Sequence, residues 1–147
     1  MTVSELAEKK TEYRQVYRIT DGVYAAFQFC SRDYNPLHTD PAFAASHGFG
    51  ECVMYGNILN AFVSHFVGMA LPVRDVMIQK QELAFHKPCF LGDELTLCAH
   101  VDFVSEAVNV LAFKLRFTRN RDGKPETVAK GSVQIGLLRG AETEGGG

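Results

Sequence analysis

The sequence lacks paired cysteines and clustered histidines. Four cysteines and five histidines are spread along 147 residues, with no CxxC pair and no histidines at i, i+4 spacing. A disulfide framework belongs to exported proteins, and a zinc site needs ligands at short, regular spacing. We therefore expect reduced, mostly buried thiols and no metal site. The cysteines are Cys30, Cys52, Cys89 and Cys98.

The sequence also lacks an excess of charge and a long apolar run. The net charge is −2, which offers no basic surface for nucleic acid or for an anionic membrane. The longest apolar stretch, Ile58 to Leu71, contains polar residues and is shorter than the roughly 20 residues that span a bilayer. Residues 1–14 are polar and charged, unlike a secretory signal. We expect a soluble, cytoplasmic protein that binds neither nucleic acid nor membrane.

The composition is that of one packed domain. Hydrophobic residues make up 46% and charged residues 22% of the chain, and no stretch has the character of a linker. The predicted domain therefore covers residues 1–147. Only the tail from about Gly140, which ends in three glycines, is predicted to be disordered.

The first half of the chain favours helices. After a predicted strand at residues 12–20, Asp21 is a candidate cap for a helix with apolar residues at helical spacing. This helix should end near Asp33–Tyr34, because Pro36 disfavours helical geometry in the residue before it. Asp40–Pro41 predicts the start of a second, short helix. The apolar positions of the first helix are Val23, Phe27 and Cys30.

A longer helix is predicted at residues 57–71. Its apolar residues cover most of its circumference, which is typical of a buried helix. Because successive residues of a helix are rotated by about 100°, four polar or small residues nevertheless fall on one narrow stripe. We expect something polar, or something that needs close backbone approach, to lie along this stripe. The stripe consists of Asn57, Asn60, Ser64 and Gly68.

The second half of the chain favours strands. Apolar and polar residues alternate over residues 94–103 and 111–117, as expected for an antiparallel sheet with one wet face. A less regular strand is predicted at residues 76–86 and a return strand at 128–138, after a hairpin turn at 120–124 that contains Asp-Gly. The predicted buried positions are Leu95, Leu97, Ala99, Val101, Phe103, Leu111, Phe113, Leu115 and Phe117.

A buried helix followed by an antiparallel sheet predicts an α+β fold in which the sheet wraps around the helix. A sheet of this size has an open edge strand. Pairing of that edge across a two-fold axis would satisfy its backbone groups. We therefore expect a homodimer.

The segment from Phe29 to Ala44 contains the most informative pattern. Asp33 and His38 are five residues apart, which on one continuous helix would place them on different faces. A turn forced by Pro36 lets both converge on one point, where a carboxylate and an imidazole could hold one water and share its protons. Asn35 can fix this turn through its side chain. The same D-x-N-P pattern is also a common helix-ending turn, so the spacing alone leaves a purely structural role open.

The same segment resembles the signature of MaoC-type (R)-specific enoyl-CoA hydratases and dehydratases. That signature is an aromatic residue, a small-residue turn and D-x-N-P-hydrophobic-H, which residues 33–38 match in order. The likeness continues through Gly56 with a serine eight residues later, and through Phe85-His-Lys-Pro followed by Gly-Asp-Glu. It covers about residues 16–138. It implies a hot-dog fold, in which an antiparallel sheet wraps around a long central helix.

The resemblance also implies a reaction and a set of roles. The substrate would be a trans-2-enoyl thioester of coenzyme A or acyl carrier protein, the product a (3R)-hydroxyacyl thioester, and no separate cofactor would be needed. Asp33 and His38 would flank the catalytic water. The N–H of Gly56 would stabilise negative charge on the thioester oxygen. Ser64 would orient a catalytic side chain, although a bond from Ser64 to the Asn60 carbonyl is an alternative.

Two residues depart from the family pattern. The family usually has histidine before the glycine and often methionine after it, where this sequence has Tyr55 and Asn57. The glycine N–H survives both changes, but Asn57 could make the acyl pocket more polar. Tyr55 and Asn57, together with Asn35 and Asn60, are candidate contacts to the substrate.

Two other functions remain open at this point. A hot-dog thioesterase would use the same helix-terminus donor with a carboxylate on the central helix, but the polar stripe supplies only amides and a hydroxyl. A non-catalytic module that binds acyl thioesters or holds subunits together is the third possibility. The presence of Asp33 and His38 argues against it, although likeness of fold alone does not exclude it.

Overall fold

Five antiparallel strands form one sheet, and the longest helix packs against one face of it. The computed structural model describes residues 1–140. The predicted disorder of the tail therefore lies outside the described residues, apart from Gly140 itself. The strands are β1 (Glu12–Arg18), β2 (Val76–Phe85), β3 (Glu94–Ser105), β4 (Val110–Arg121) and β5 (Lys124–Leu137). The helices are α1 (Val3–Lys9), α2 (Asp21–Ser31), α3 (Pro36–Thr39), α4 (Pro41–Ser46) and α5 (Asn57–His65), which a π-helical segment, Phe66–Ala70, extends.

The strands lie in the order β1-β3-β4-β5-β2, and each neighbouring pair is antiparallel. The predicted hairpin turn joins β4 to β5 through Asp122 and Gly123. Both residues have positive φ, 49° and 76°, which is the conformation that an Asp-Gly hairpin turn requires. Strands β1 and β2 are the two edges of the sheet. The predicted α+β class is confirmed.

The core lies between α5 and the inner face of the sheet. The alternation predicted for β3 and β4 is confirmed, because eight of the nine predicted inner residues are buried or half-buried. Removing each large apolar side chain from water stabilises the fold by roughly 1.5–3 kcal/mol. Phe103 is the exception and is 55% exposed. A β-bulge between Val101 and Phe103 shifts the register there and turns Phe103 to the outer face.

Four predicted features of the helices are wrong in detail. Helix α2 is capped by Thr20, whose side chain accepts from the Val23 N–H, so Asp21 is its first residue. The same helix ends at Ser31, before the predicted end near Asp33–Tyr34, because Arg32 adopts the left-handed conformation with φ of 55°. The predicted helix at 57–71 changes to π-helical geometry after His65. It is also not buried on all sides, since the face with Asn57, Ala61, Ser64, His65 and Met69 is exposed.

Two short helices, α1 and α3, were not predicted from the sequence, and the thiols are less buried than expected. Helix α1 is fixed by a capping box, in which Thr2 and Glu5 bond each other's main-chain N–H groups. All four cysteines are free, but only Cys89 is buried. Cys30 lies on the exposed face of α2. Among the helices of residues 1–140, none is long and apolar enough to cross a membrane.

A group of charges around the buried Arg119 joins β4 and β5 to the segment between β2 and β3. Arg119 is only 6% exposed and donates to Asp93 at 2.6 Å, to Glu126 at 2.9 Å and to the Pro88 carbonyl at 3.0 Å. Lys87 also donates to Glu126, at 2.6 Å. Hydrogen bonds from Lys87 and Arg119 lower the pKa of Glu126 to about 2. This ion cluster (Arg119, Asp93, Glu126 and Lys87) fixes the chain segment that follows β2.

Candidate active site

The corner between α2 and α3 is built by side chains that bond the main chain two residues further on. Ser31 Oγ accepts from the Asp33 N–H at 3.2 Å, and Asp33 Oδ1 accepts from the Asn35 N–H at 3.0 Å. Asn35 Oδ1 in turn accepts from the Leu37 N–H at 3.0 Å and caps α3, which begins at Pro36. Short polar side chains favour such turns. The corner reverses the chain and brings Asp33 and His38 together, as predicted.

The two side chains face each other across a gap. Asp33 Oδ2 lies 3.8 Å from His38 Nε2, which is too long for a direct hydrogen bond. The other ring nitrogen of His38, Nδ1, lies 2.7 Å from the Val53 carbonyl. Because a carbonyl only accepts, Nδ1 carries a proton, and Nε2 of the neutral ring offers its lone pair toward Asp33. Asp33 is about half exposed and His38 mostly buried, so the gap is open to water from one side.

His38 and Gly56 line one cleft of about 340 Å³. Gly56 immediately precedes α5, and no acceptor among residues 1–140 takes its N–H. The N-terminal end of a helix carries partial positive charge, so a free N–H there favours an oxygen that gains negative charge. The other cleft-lining residues are Val53, Met54, Leu59, Phe85, His86, Lys87, Pro88 and Cys89.

Phe85 and Cys89 are parts of the cleft that the sequence analysis did not identify. A Cβ atom added at Gly56 would lie 3.2 Å from carbon atoms of the Phe85 ring, so the glycine lets this ring approach the helix terminus. Cys89 is buried, and burial raises the pKa of its thiol to about 11. It therefore stays protonated and is not a nucleophile at neutral pH. The less regular strand predicted at residues 76–86 included Phe85, but its pattern contained no sign that this side chain faces Gly56.

Tyr55 lies behind the pair and not in the cleft. It is 3% exposed, its ring packs against the His38 ring, and its hydroxyl bonds the main-chain carbonyl of Asp33. The Tyr24 hydroxyl of α2 donates to the His38 carbonyl, and the Gln28 amide of α2 donates to the hydroxyls of Tyr24 and Tyr55. Asn35, the other predicted substrate contact near the corner, is engaged in capping α3. Neither Tyr55 nor Asn35 is among the residues that line the cleft.

The predicted polar stripe on α5 does meet a polar partner. Gln81 of β2 donates from Nε2 to Asn60 Oδ1 at 2.6 Å, and Asn60 Nδ2 donates to Asn57 Oδ1 at 2.9 Å. These three amides form a chain of hydrogen bonds that starts beside Gly56. Ser64, further along the stripe, is exposed and bonds neither Asp33, His38 nor the Asn60 carbonyl within residues 1–140. Its predicted orienting role stays a prediction.

A sheet wrapped around one helix, with a carboxylate and an imidazole that face each other near the N-terminal end of that helix, defines a hot-dog-fold protein. Within residues 1–140, no three His, Cys, Asp or Glu side chains are grouped so as to hold a metal ion. The chain belongs to the MaoC-like domain family, whose model matches residues 3–110.

Two curated proteins are similar to part of the chain. The (R)-specific enoyl-CoA hydratase of Aeromonas caviae is 40% identical over 82 residues, which is 56% of this chain and 61% of that protein. The mitochondrial 3-hydroxyacyl-[acyl-carrier-protein] dehydratase of Arabidopsis thaliana is 30% identical over 70 residues, 48% of this chain and 41% of that protein. The similar segments thus span less than two thirds of either relative.

The likeness of the folds extends further along the chain. The solved structure of the (R)-hydratase from A. caviae involved in PHA biosynthesis superposes with a TM-score of 0.77 and 29% identity. The superposition covers 87% of this chain and 96% of that one. The hot-dog fold implied by the sequence resemblance is therefore confirmed.

Proposed function

We propose that the protein is an (R)-specific hydratase of trans-2-enoyl thioesters, a lyase that also catalyses the reverse dehydration of (3R)-hydroxyacyl thioesters. One observation carries the proposal. Asp33 Oδ2 and His38 Nε2 face each other across 3.8 Å, next to a cleft that also contains the free N–H of Gly56. The A. caviae and A. thaliana relatives, by their names, catalyse this hydration and this dehydration.

The pair supplies the proton chemistry of hydration. Water lies between Asp33 and His38 and attacks C3 of the alkene, while one member of the pair takes a proton from it. The pair then delivers a proton to C2, so that H and OH have been added and both side chains return to their starting state. Such positioned acid–base groups accelerate a reaction by roughly 10²–10⁴-fold. We assign the two proton steps to the pair and not to either residue.

Gly56 supplies the electrostatic part of the catalysis. Attack at C3 moves negative charge through C2 to the thioester oxygen, which needs a donor in a fixed position. The N–H of Gly56 is held by the start of α5, and a donor of this kind is worth roughly 10²–10³-fold in rate. Phe85 and Leu59 provide apolar walls beside it.

The proposed substrate is a coenzyme A thioester, with an acyl carrier protein thioester as the alternative carrier. The name of the A. caviae relative contains coenzyme A, and the name of the A. thaliana relative contains acyl carrier protein. Addition of water transfers no electrons and forms no bond to a third molecule. We therefore propose that the reaction uses no cofactor besides the coenzyme A carried by the substrate and no metal. Asn57 and Asn60 remain proposed contacts to the acyl group.

We also propose that the active form is a cytoplasmic homodimer. Edge strands β1 and β2 each have one unpaired side, and the exposed face of α5 carries Ala61, Ser64 and Met69. A second copy would cover that face and give the thioester walls from two subunits. Four free thiols are in keeping with a reducing compartment. Light scattering at micromolar concentration should give a mass near twice 16.3 kDa, and a species of 16.3 kDa alone would contradict the dimer.

Incubation with crotonyl-CoA tests the reaction class directly. Absorbance of the conjugated alkene should fall without release of free thiol, and chiral analysis should find 3R-hydroxybutyryl-CoA. Release of thiol with the alkene intact would identify a thioesterase. Binding of crotonyl-CoA with no change in either signal would identify a non-catalytic module.

A further inference from the structure

Tyr55 contacts both members of the acid–base pair from behind. Its ring lies 4.1 Å from the His38 ring, measured between centroids, with 35° between the planes. Its hydroxyl bonds the main-chain carbonyl of Asp33. One buried side chain thus holds His38 through its ring and Asp33 through its hydroxyl. By sequence resemblance, this tyrosine stands where the family usually has histidine.

Two residues of α2 complete this arrangement. Tyr24 Oη donates to the His38 carbonyl at 2.9 Å, and Gln28 Nε2 lies 3.1 Å from Tyr24 Oη and 3.4 Å from Tyr55 Oη. Because a main-chain carbonyl only accepts, each tyrosine hydroxyl donates to its carbonyl and accepts from the Gln28 amide. The direction of all four bonds is therefore determined. We refer to Tyr24, Gln28 and Tyr55 as the tyrosine clamp.

The clamp persists over the pH range of an enzyme assay. Burial raises the pKa of Tyr55 above its ordinary value of 10, so its hydroxyl remains a donor at neutral pH. Phe27 packs against the Tyr55 ring from α2, with centroids 4.9 Å apart. The ring therefore has aromatic neighbours in both Phe27 and His38 and little freedom to move.

We propose that Tyr55 is a positioning residue that sets the separation between Asp33 and His38, with Tyr24 and Gln28 as its supports. The catalytic part of this inference rests on the proposed hydratase function. His38 is anchored a second time, through Nδ1 to the Val53 carbonyl. Among residues 1–140, the other bonds that hold Asp33 are exposed, local turn bonds. Loss of the Tyr55 hydroxyl therefore disturbs the pair more than loss of the Tyr24 hydroxyl does.

Tyr55→Phe removes one hydroxyl and keeps the ring against His38. A displacement of about 1 Å in a catalytic group costs up to roughly 10²-fold in rate, so we expect kcat with crotonyl-CoA to fall about 10–100-fold while KM changes less than about threefold. Tyr24→Phe should lower kcat by less than Tyr55→Phe. Rates are compared on protein whose circular dichroism shows it to be folded.

Tyr13→Phe is the matched control. Tyr13 is also buried, at 5% exposure, but its hydroxyl has no partner among residues 1–140, and it packs against Phe66 and Phe113 in the core. The same chemical change should leave kcat and KM at their wild-type values. Equal losses of kcat in Tyr13→Phe and Tyr55→Phe would overturn the positioning role.

A second measurement needs no substrate. The imidazole ¹H–¹³C signals of His38 should form one sharp set in wild type and Tyr13→Phe, and broaden or double in Tyr55→Phe as the pair loses its fixed separation. If wild type hydrates no enoyl thioester but His38 responds in this way, the hydratase proposal fails and the positioning role stands. If wild type is active and Tyr55→Phe keeps kcat within about threefold of it, the positioning role is overturned whatever the signals show. Should Tyr55→Phe not fold, Tyr24→Phe carries the same two measurements, and unchanged kcat and His38 signals there overturn the clamp.

Discussion

The molecule contains two groups of facing ionisable side chains that are built in contrasting ways. In the ion cluster, the acceptors of Arg119 lie 2.6 to 3.0 Å away, and Glu126 also accepts a hydrogen bond from Lys87. In the Asp33–His38 pair, the facing atoms stay 3.8 Å apart and have no other partner among residues 1–140. The first group closes around the buried Arg119, and the second is open to water from one side.

The two groups differ in what their ionisable side chains do: one group stabilises the fold, and the other is proposed to carry out chemistry. A carboxylate that several cations hold tightly resists protonation, as the pKa of about 2 for Glu126 illustrates, and therefore exchanges no protons at neutral pH. Asp33 commits only Oδ1 to its turn and leaves Oδ2 for a reacting molecule. The closed cluster should thus matter to stability and the open pair to rate. The predictions below test this division.

Asp33→Asn should have the largest effect, and on rate alone. The amide keeps an oxygen for the Asn35 N–H, so the corner survives, but the side chain no longer takes and returns a proton. We expect hydration of crotonyl-CoA to slow by roughly 10²–10⁴-fold with little change in melting temperature. His38→Ala should slow it comparably, and the double variant little further, because both residues act on one water.

Asp40→Asn controls for this substitution. Asp40 is also an exposed carboxylate in the same segment, and it caps α4 by accepting from Ala42 and Phe43. Unlike Asp33, Asp40 does not face His38, so its replacement should leave the rate unchanged. Near wild-type hydration by Asp33→Asn would remove the acid–base assignment.

Arg119→Met should have the opposite profile. Removing Arg119 leaves the Asp93 carboxylate without its cation, while Glu126 keeps Lys87, so we expect the free energy of unfolding to fall by about 3 kcal/mol. Because Arg119 also bonds Pro88 at the cleft wall, we expect the folded fraction to lose some rate of crotonyl-CoA hydration, but far less than Asp33→Asn loses. Urea unfolding and kcat of the same preparation measure the two quantities.

Arg121→Met is the comparison for Arg119. Arg121 also pairs with Glu126, at 3.7 Å, but its side chain is 57% exposed. An exposed pair contributes at most about 1 kcal/mol. If both variants lose a similar free energy of unfolding, burial does not make the ion pairs of Arg119 more stabilising than the exposed pair of Arg121.

Gly56→Val should lower the rate by about 10²–10³-fold, since the side chain occupies the place of the thioester oxygen. Its Cβ also meets the Phe85 ring at 3.2 Å, so Gly56→Ala should give a smaller loss. Gly50→Val is the control, because a Cβ there meets no atom within 4 Å. Substantial activity in Gly56→Val, measured as crotonyl-CoA hydration by folded protein, would refute the role of this N–H.

The smallest expected effect is the pH dependence of stability. The pKa of Glu126 in the folded protein, about 2, lies below its ordinary value of 4.5. Its contribution to stability is therefore complete above pH 4.5 and is lost as the pH falls toward 2. Glu126→Gln should unfold at lower urea than wild type at pH 6, and the two midpoints should converge near pH 2. A gap that stays constant with pH would assign the effect of the substitution to packing alone.

Local rules made part of the site predictable. The D-x-N-P turn depends on side chains that bond the main chain two residues away, so its sequence alone predicted that Asp33 and His38 would meet. Alternating residues predicted β3 and β4 until the bulge before Phe103, which no change of pattern marked. The stripe on α5 correctly indicated a polar partner but not that Gln81 would supply it, because contacts between distant elements leave no periodic signal.

The missed parts of the site are long-range contacts to the main chain. Tyr55 bonds a carbonyl 22 residues away and Tyr24 one 14 residues away. A carbonyl is the same in every residue type, so the partner leaves no trace in the sequence. The place of Tyr55 beside Gly56 in the family pattern suggested a substrate contact, whereas the fold turns it behind Asp33 and His38.

The carbonyl of Val53 has a consequence for how this site changes during evolution. Because it is a main-chain atom, no codon specifies the acceptor that fixes the His38 proton on Nδ1. Any residue that fits the core and the cleft wall at position 53 presents the same oxygen, so such substitutions should leave the His38 tautomer unchanged. The path of the main chain therefore determines which ring nitrogen of His38 carries the proton. Only an insertion or deletion that moves residues 52–54 past His38 would alter it.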